Sequence, residues 1–297
     1  MYPVFLRDLP NPFTGGTFDI RWYGVWMLVA VVSAIFIFTR RSKKMLGIGF
    51  DDIATLALLL LLGGFAGAKF LTIFTRFGEF IADPIVFLFG RSNISVTGGL
   101  IGGGVVLWLI GRRNKEIGFL GLADALALAI PLAQMFGRQG CNSAGCCYGK
   151  PTDGWWGVTF SHSDSVCGLK DVPLIPTQLL ESGLNLLLFV GLILFEKFYK
   201  SRRQGATFLA YGLGYGAIRF TMDFLRADKQ AFFYGLTTNQ WAVLVGLILI
   251  ALAWWKLLPK GRPALEAYTD PPTRYLFKSS RHSAERREEK RKQKQKK

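Results

Sequence analysis

Residues 53–75 read IATLALLLLLGGFAGAKFLTIFT, a run of 23 residues whose single charge is Lys69. As an α-helix rising about 1.5 Å per residue, such a run crosses a hydrocarbon core of about 30 Å. Working outward, six further stretches of similar character occur, so the spans fall at about 21–39, 53–75, 94–111, 118–136, 177–196, 206–225 and 239–257. The whole chain, 297 residues, is 51% hydrophobic and 14% aromatic, with a mean hydropathy of +0.29. The expectation is an all-α polytopic membrane protein of seven transmembrane helices.

The net charge of +16 resembles a nucleic-acid signature until it is located. Residues 278–297 hold ten Lys/Arg against three Glu, and most other basic residues follow apolar runs: Arg40, Arg41, Lys43 and Lys44; Arg112, Arg113 and Lys115; Lys197, Lys200, Arg202 and Arg203; Lys256, Lys260 and Arg262. These clusters follow the first, third, fifth and seventh spans, which places the N-terminus outside and the C-terminus in the cytoplasm. The organisation is therefore an outer segment 1–20, a membrane domain 21–257 and a basic tail 258–297, disordered from about 278 and drawn to anionic membrane lipids rather than nucleic acid. No removable signal peptide is apparent, so the first span serves as the insertion signal.

Glycines in GGFAGAK (63–69) and TGGLIGGG (97–104) let helix backbones approach closely in lipid. Lys69 and Asp124 lie near helix ends, where they snorkel or pair. Glu181, one turn into the fifth span, admits a structural and a functional reading. The sixth span is more telling: Gly212, Tyr215, Arg219, Asp223 and Arg226 recur at steps of three and four, within an arc of about 80°. Arg219 can pair with Asp223 at i,i+4 and Arg226 with it at i,i+3. Two guanidiniums against one carboxylate leave a positive surplus at membrane depth, which suits a lipid phosphate.

A third arginine, Arg138, stands between Gly137 and Gly140 in GRQGCNSAGCCYG (137–149), where the bare backbone would admit a headgroup. The stretch holds Cys141, Cys146 and Cys147, three of four cysteines. The C-x4-C-C spacing lacks the C-x2-C pairs usual for zinc and the C-x-x-C of a thiol oxidoreductase. Packing of a crowded helix end is the default for these thiols, with a disulfide among Cys141, Cys146, Cys147 and Cys167 left open.

The order IRWYG (20–24), GAK (67–69), TGGLIGG (97–103), GRQGCNSAGCCYG, PTQLLE (176–181) and YGAIRFTMDFLR (215–226) resembles the bacterial prolipoprotein diacylglyceryl transferases, in particular a branch with G-R-x-G-C-x-x-A-G-C-C-Y-G. The resemblance implies a seven-helix plasma-membrane enzyme with its active site toward the outer leaflet and with neither cofactor nor metal. It implies transfer of the diacylglyceryl group of phosphatidylglycerol to the lipobox cysteine of preprolipoproteins, recognised through their signal peptides, with release of glycerol phosphate. Arg138, Arg219, Tyr23 and Asp223 are its implied catalytic residues, the arginines gripping phosphate and Tyr23 or Asp223 taking a proton. Arg226, Gly98, Gly99, Thr97, Gly137, Gly140 and Cys141 are the implied substrate contacts. Two histidines usual in the family are replaced by Thr97 and Ile175, which keeps a rival reading in view: a lipid-phosphate-binding homologue that is non-catalytic or acts on another acceptor. The outer-loop His162, folding inward, is a further candidate base.

Overall fold

The computed structural model describes residues 3–10, 17–89, 95–114, 117–200, 202–227, 232–256, 276 and 277. Its helices are α1 (Trp22–Arg41), α2 (Phe50–Thr75), α3 (Phe77–Ala82), α4 (Pro84–Phe89), α5 (Val96–Arg113), α6 (Gly118–Leu126), α7 (Ala129–Ala144), α8 (Thr177–Phe198), α9 (Ala206–Leu225) and α10 (Thr238–Lys256). Among the described residues each apolar stretch is thus helical, the fourth in two pieces, α6 and α7. Five helical stretches have the length and composition to cross a membrane: Trp22–Leu46, Phe50–Thr75, Gly118–Ala144, Thr177–Phe198 and Thr238–Lys256. Helix α5 falls outside that set because its 18 residues include six glycines, Arg112 and Arg113, and α9 because glycines, tyrosines, Arg219 and Asp223 dilute its apolar character.

The all-helical expectation needs one correction. Residues Val4–Pro10 (β1) and Thr17–Arg21 (β2) form an antiparallel pair, with Val4 opposite Arg21 and Leu9 opposite Phe18. Short strands of this kind carry little hydropathy signal, so the segment had shown only that it was not a span. The basic tail from 278 onward lies outside the described residues; of 258–297 only Leu276 and Phe277 are described.

The chain divides into two compact units, Met1–Phe38 with Leu126–Ala264, and Thr39–Ala125 with Leu265–Lys297. In the second, α2 packs on α5 through glycines spaced by four on both helices. A Cβ at Gly102 would overlap the Gly63 carbonyl and sit 2.9 Å from the Gly67 Cα, and one at Gly98 would overlap the Gly67 carbonyl. The two backbones are therefore in direct contact, the arrangement small-xxx-small patterns permit. Ser95 caps α5, its Oγ accepting the Gly98 N–H at 3.2 Å. Lys69 is buried and donates to the Phe87 carbonyl at 3.3 Å, while Arg41 donates to the carbonyls of Asp124 and Ala125, so Lys69 and the Asp124 backbone have structural partners.

In the first unit α7 packs on α8, α8 on α9 and α9 on α10. Ala127, Leu128, Leu192 and Tyr211 form a buried apolar cluster. Gly212 and Gly216 face Ile250 and Leu247 of α10, and Gly214 faces Leu188 of α8. Residues Leu28, Val32 and Phe36 of α1 and Leu187, Val190 and Leu194 of α8 are exposed. Apolar side chains exposed in such number are what hydrocarbon covers.

Candidate functional site: buried arginines and a cysteine cluster

Helix α7 runs past residue 136, where hydropathy had ended it, and includes Arg138 and Cys141 before Gly145 closes it in the left-handed region at φ 79°. The glycines at 137 and 140 lower local hydropathy without breaking the helix, because a helix supported by tertiary packing tolerates them at about 1 kcal/mol each. Arg138 is consequently a helical residue within a span, not a loop residue.

Across from it lies Glu181 of α8, which becomes the centre of the site. Its Oε1 is 2.5 Å from Nη2 of Arg138, and its Oε2 is 3.7 Å from Nη1 of Arg219 on α9. Arg219 also pairs through Nη2 with Oδ1 of Asp223 at 3.0 Å, the i,i+4 contact read from the sequence. The carboxylates are sealed, with side-chain exposures of 2% and 0%, whereas Arg138 and Arg219 keep 16% and 14%. Nη1 of Arg219 is buried and, among the described residues, has no hydrogen-bond acceptor. Taking charges out of water costs several kcal/mol per ion, so such an array persists only where opposite charges and hydrogen bonds offset it.

A polar frame holds this array. Asp223 Oδ2 accepts from Asn239 Nδ2 at 2.7 Å and from Thr237 Oγ1 at 3.2 Å, and Gln240 donates to the Phe220 carbonyl at 3.1 Å. On the α7–α8 side, Gln139 donates to Ser182, which donates to the Met135 carbonyl. Each charged side chain is therefore locked by neighbours from a different helix, which preorganises the site.

Arg226 departs from the helical-face reading. Helix α9 ends at Leu225, and Arg226 is extended at φ −78°, ψ 138°, bridged to Gly149 of the loop after α7. It is buried, and its charge still acts on Glu181 and Cys147. The i,i+3 helical spacing to Asp223 is lost because backbone pairing with residues 148–150 ends the helix: Lys150 donates to the Leu225 carbonyl at 2.9 Å and Ala227 to that of Tyr148 at 3.2 Å.

The four cysteines are free thiols. The sulfurs of Cys141, Cys146 and Cys147 lie within 4.8 Å of one another. Cys147 sits at φ 61°, a conformation a residue with a Cβ seldom adopts. The cysteine pair is pinned there by α8: Thr177 Oγ1 donates to the Cys147 carbonyl at 2.7 Å and Gln178 Nε2 to that of Cys146 at 2.8 Å. Hydrogen bonds with Cys141 and Cys146, then the charges of Arg226 and Arg138, push the Cys147 thiol strongly down, against the effect of burial. The Cys146 thiol is pushed strongly up by its hydrogen bonds with Cys141 and Cys147. Cys167 stands apart, packed with Phe160 and Leu174 under the loop after α7.

The other expected residues are placed as follows. Tyr23 on α1 is 42% exposed and packs by its ring edge against Gly140, so the missing side chain at Gly140 admits α1 rather than open space; Gly137 does face open space. Thr97, Gly98 and Gly99 belong to the second unit, where Gly98 and Gly99 pack on α2 and Thr97 is exposed. Ile175 packs on Gly149, a Cβ at which would come within 2.6 Å of it. His162 stays in its loop, Nδ1 accepting the Asp164 N–H at 3.2 Å, while Asp164 pairs with Arg7 at 2.7 Å. Glu181, which the sequence leaves between a structural and a functional reading, is thus the residue that links Arg138 and Arg219; its signal in the sequence is a carboxylate one turn into an apolar helix.

A multi-pass membrane protein with an ion-paired arginine centre buried among three helices is the class that this fold and site define. The model of the family "Prolipoprotein diacylglyceryl transferase" matches residues 10–256, and the chain belongs to that family. It is 32% identical over 230 residues to a phosphatidylglycerol–prolipoprotein diacylglyceryl transferase of Clostridium tetani, covering 77% of this chain and 90% of the relative. A similarly named protein of Nitratidesulfovibrio vulgaris is 31% identical over 272 residues, covering 89% of this chain and 99% of the relative. A third, "transferase 2" of Clostridium perfringens, is 33% identical over 232 residues.

Proposed function

We propose that this chain transfers the diacylglyceryl group of phosphatidylglycerol to the lipobox cysteine of preprolipoproteins, releasing glycerol phosphate as the first step of lipoprotein maturation. The observation that carries this reading is the buried Nη1 of Arg219, which among the described residues has no hydrogen-bond acceptor and only a 3.7 Å ion pair with Glu181, beside Arg138. Three guanidiniums, of Arg138, Arg219 and Arg226, act on two carboxylates, of Glu181 and Asp223, and one phosphodiester anion would balance the remaining charge. The acceptor sulfur attacks the glyceryl carbon, a C–S bond forms, and the C–O bond to phosphate breaks. The second negative charge that develops on the departing phosphate falls to Arg138 and Arg219, whose positions Glu181 holds in advance. Tyr23 and Asp223 complete the catalytic set, and Arg226, Gly137 and Cys141 line the substrate's place, whereas Gly140 is taken up by α1.

In this reading α5 and α9 also span, making seven transmembrane helices in the plasma membrane with the N-terminus outside. The basic residues at the ends of α1, α5, α8 and α10 support that orientation. Lipid enters sideways, and the reaction occurs at the outer leaflet.

The second reading, a lipid-phosphate-binding protein without this chemistry, draws on Thr97 and Ile175 at the positions of the family's histidines. The test is expression in cells depleted of their own transferase, with mass spectrometry of a lipobox protein. A diacylglyceryl thioether on its cysteine is the expected result. Inserted protein without the thioether would favour the second reading.

A further inference from the structure

Three thiols converge at the arginine site, and packing alone does not require it. Adjacent side chains in extended backbone point to opposite sides, yet Cys146 and Cys147 both direct sulfur toward Cys141. The left-handed turn at Cys147, held by the Thr177 and Gln178 hydrogen bonds, makes this possible. A tetrahedral zinc ion with Zn–S bonds of about 2.3 Å spaces its sulfurs about 3.8 Å apart, so three sulfurs already within 4.8 Å need draw in by no more than about 1 Å. Among the described residues no histidine, carboxylate or fourth cysteine joins the group. Three protein ligands with one position open is the pattern of a catalytic rather than a structural zinc site.

We propose that Cys141, Cys146 and Cys147 bind a thiophilic divalent ion, Zn2+, and that the acceptor cysteine of the lipoprotein substrate enters as its fourth ligand. This rests on the transferase reading for the identity of the acceptor. The acceptor thiol gives its proton to solvent on coordination and binds as thiolate. Its sulfur then forms the C–S bond to the glyceryl carbon while the C–O bond breaks, and the electron pair leaves on glycerol phosphate, which becomes a dianion. The thioether, neutral and a poorer ligand, departs and reopens the fourth position. No electron is gained or lost, so no oxidant or reductant is needed. Three thiolates and a divalent ion carry one negative charge, and the guanidiniums of Arg226 and Arg138 stand close enough to act on Cys147. The ion also takes over the work of a general base: a coordinated thiol is deprotonated outright, whereas a free one is only a few per cent ionised near pH 7.

The test uses the full chain in phosphatidylglycerol proteoliposomes with Zn2+, Co2+ and a lipobox peptide. One zinc per chain is expected by elemental analysis, lost in Cys146→Ser and Cys147→Ser. Stripping the metal from the wild-type protein should slow transfer about 30-fold at pH 7, the gain from full thiol ionisation, with recovery on re-adding Zn2+. The Co2+ form should show a thiolate charge-transfer band that grows with the cysteine peptide and not with its serine analogue. Full transfer by metal-free protein overturns the proposal and leaves the transferase reading standing, as does a disulfide within the cluster of active protein. Peptide-dependent change at cobalt without any thioether product keeps the metal site and overturns the transferase reading instead.

Discussion

The α2–α5 seam and the α7–α8–α9 centre bring helices together by opposite means. At the seam, Gly63, Gly67, Gly98 and Gly102 remove side chains so that backbone meets backbone. At the centre, Arg138, Glu181, Arg219 and Asp223 place full charges between helices and hold them by pairing. The seam is tolerant of charge screening and intolerant of volume; the centre is the reverse. A helix contact made of glycine holds shape alone, whereas a contact made of buried charge also holds free energy that a ligand can draw on.

The largest effect should come from the centre. Arg219→Ala and Arg138→Ala are each expected to lower transfer by a factor of about 100–1,000 or more, with protein level maintained, measured as thioether formation on a lipobox protein. Near wild-type activity in either would break the charge-centre half of the comparison. Arg219→Lys is expected to recover little, because an ammonium lacks the planar fork that reaches Glu181 and Asp223 together.

Next comes Glu181→Ala, which leaves Arg138 without its 2.5 Å partner. Breaking a buried pair costs about 3 kcal/mol, read as a lowered thermal midpoint in detergent together with lost transfer. An unchanged midpoint would mean that Glu181 does not organise the arginines. At the seam, Gly102→Val forces a side chain into the backbone of Gly63 and Gly67 and should cost about 1–3 kcal/mol. Gly103→Ala, one residue away and facing open space, is expected to be neutral or slightly stabilising. Equal effects at 102 and 103 would sink the glycine-seam account. The smallest effect should be Ser95→Ala, which removes the α5 cap for about 1 kcal/mol by the same measurement.

Local pattern carried a good part of this. The runs now seen as α1, α2, α8 and α10 were legible from hydropathy, and the Arg219–Asp223 pair from i,i+4 spacing. The β1–β2 hairpin was not, since a few residues of mixed polarity leave no periodic trace. The end of α7 was misplaced because Gly137, Arg138 and Gly140 lower hydropathy while packing keeps the helix intact. The spacing of Cys141, Cys146 and Cys147 speaks against zinc only on an ordinary backbone, and a left-handed Cys147 changes where a sulfur points. Close helix packing at Gly98 was legible from the small-residue spacing, but which helix faces it was not.

By itself the sequence determined the class of solvent this chain meets, the helices and the charges that need partners, because burial in hydrocarbon and helical periodicity act over one or two turns. Only the tertiary structure decided which partners those charges meet. Glu181 joins Arg138 and Arg219 because α8 packs against both of its chain neighbours, α7 and α9, in one particular rotation, and Arg226 turns out of α9 because loop backbone pairs with it. Ion pairing and thiol convergence depend on angstrom-scale separations between such elements, and no local pattern encodes them.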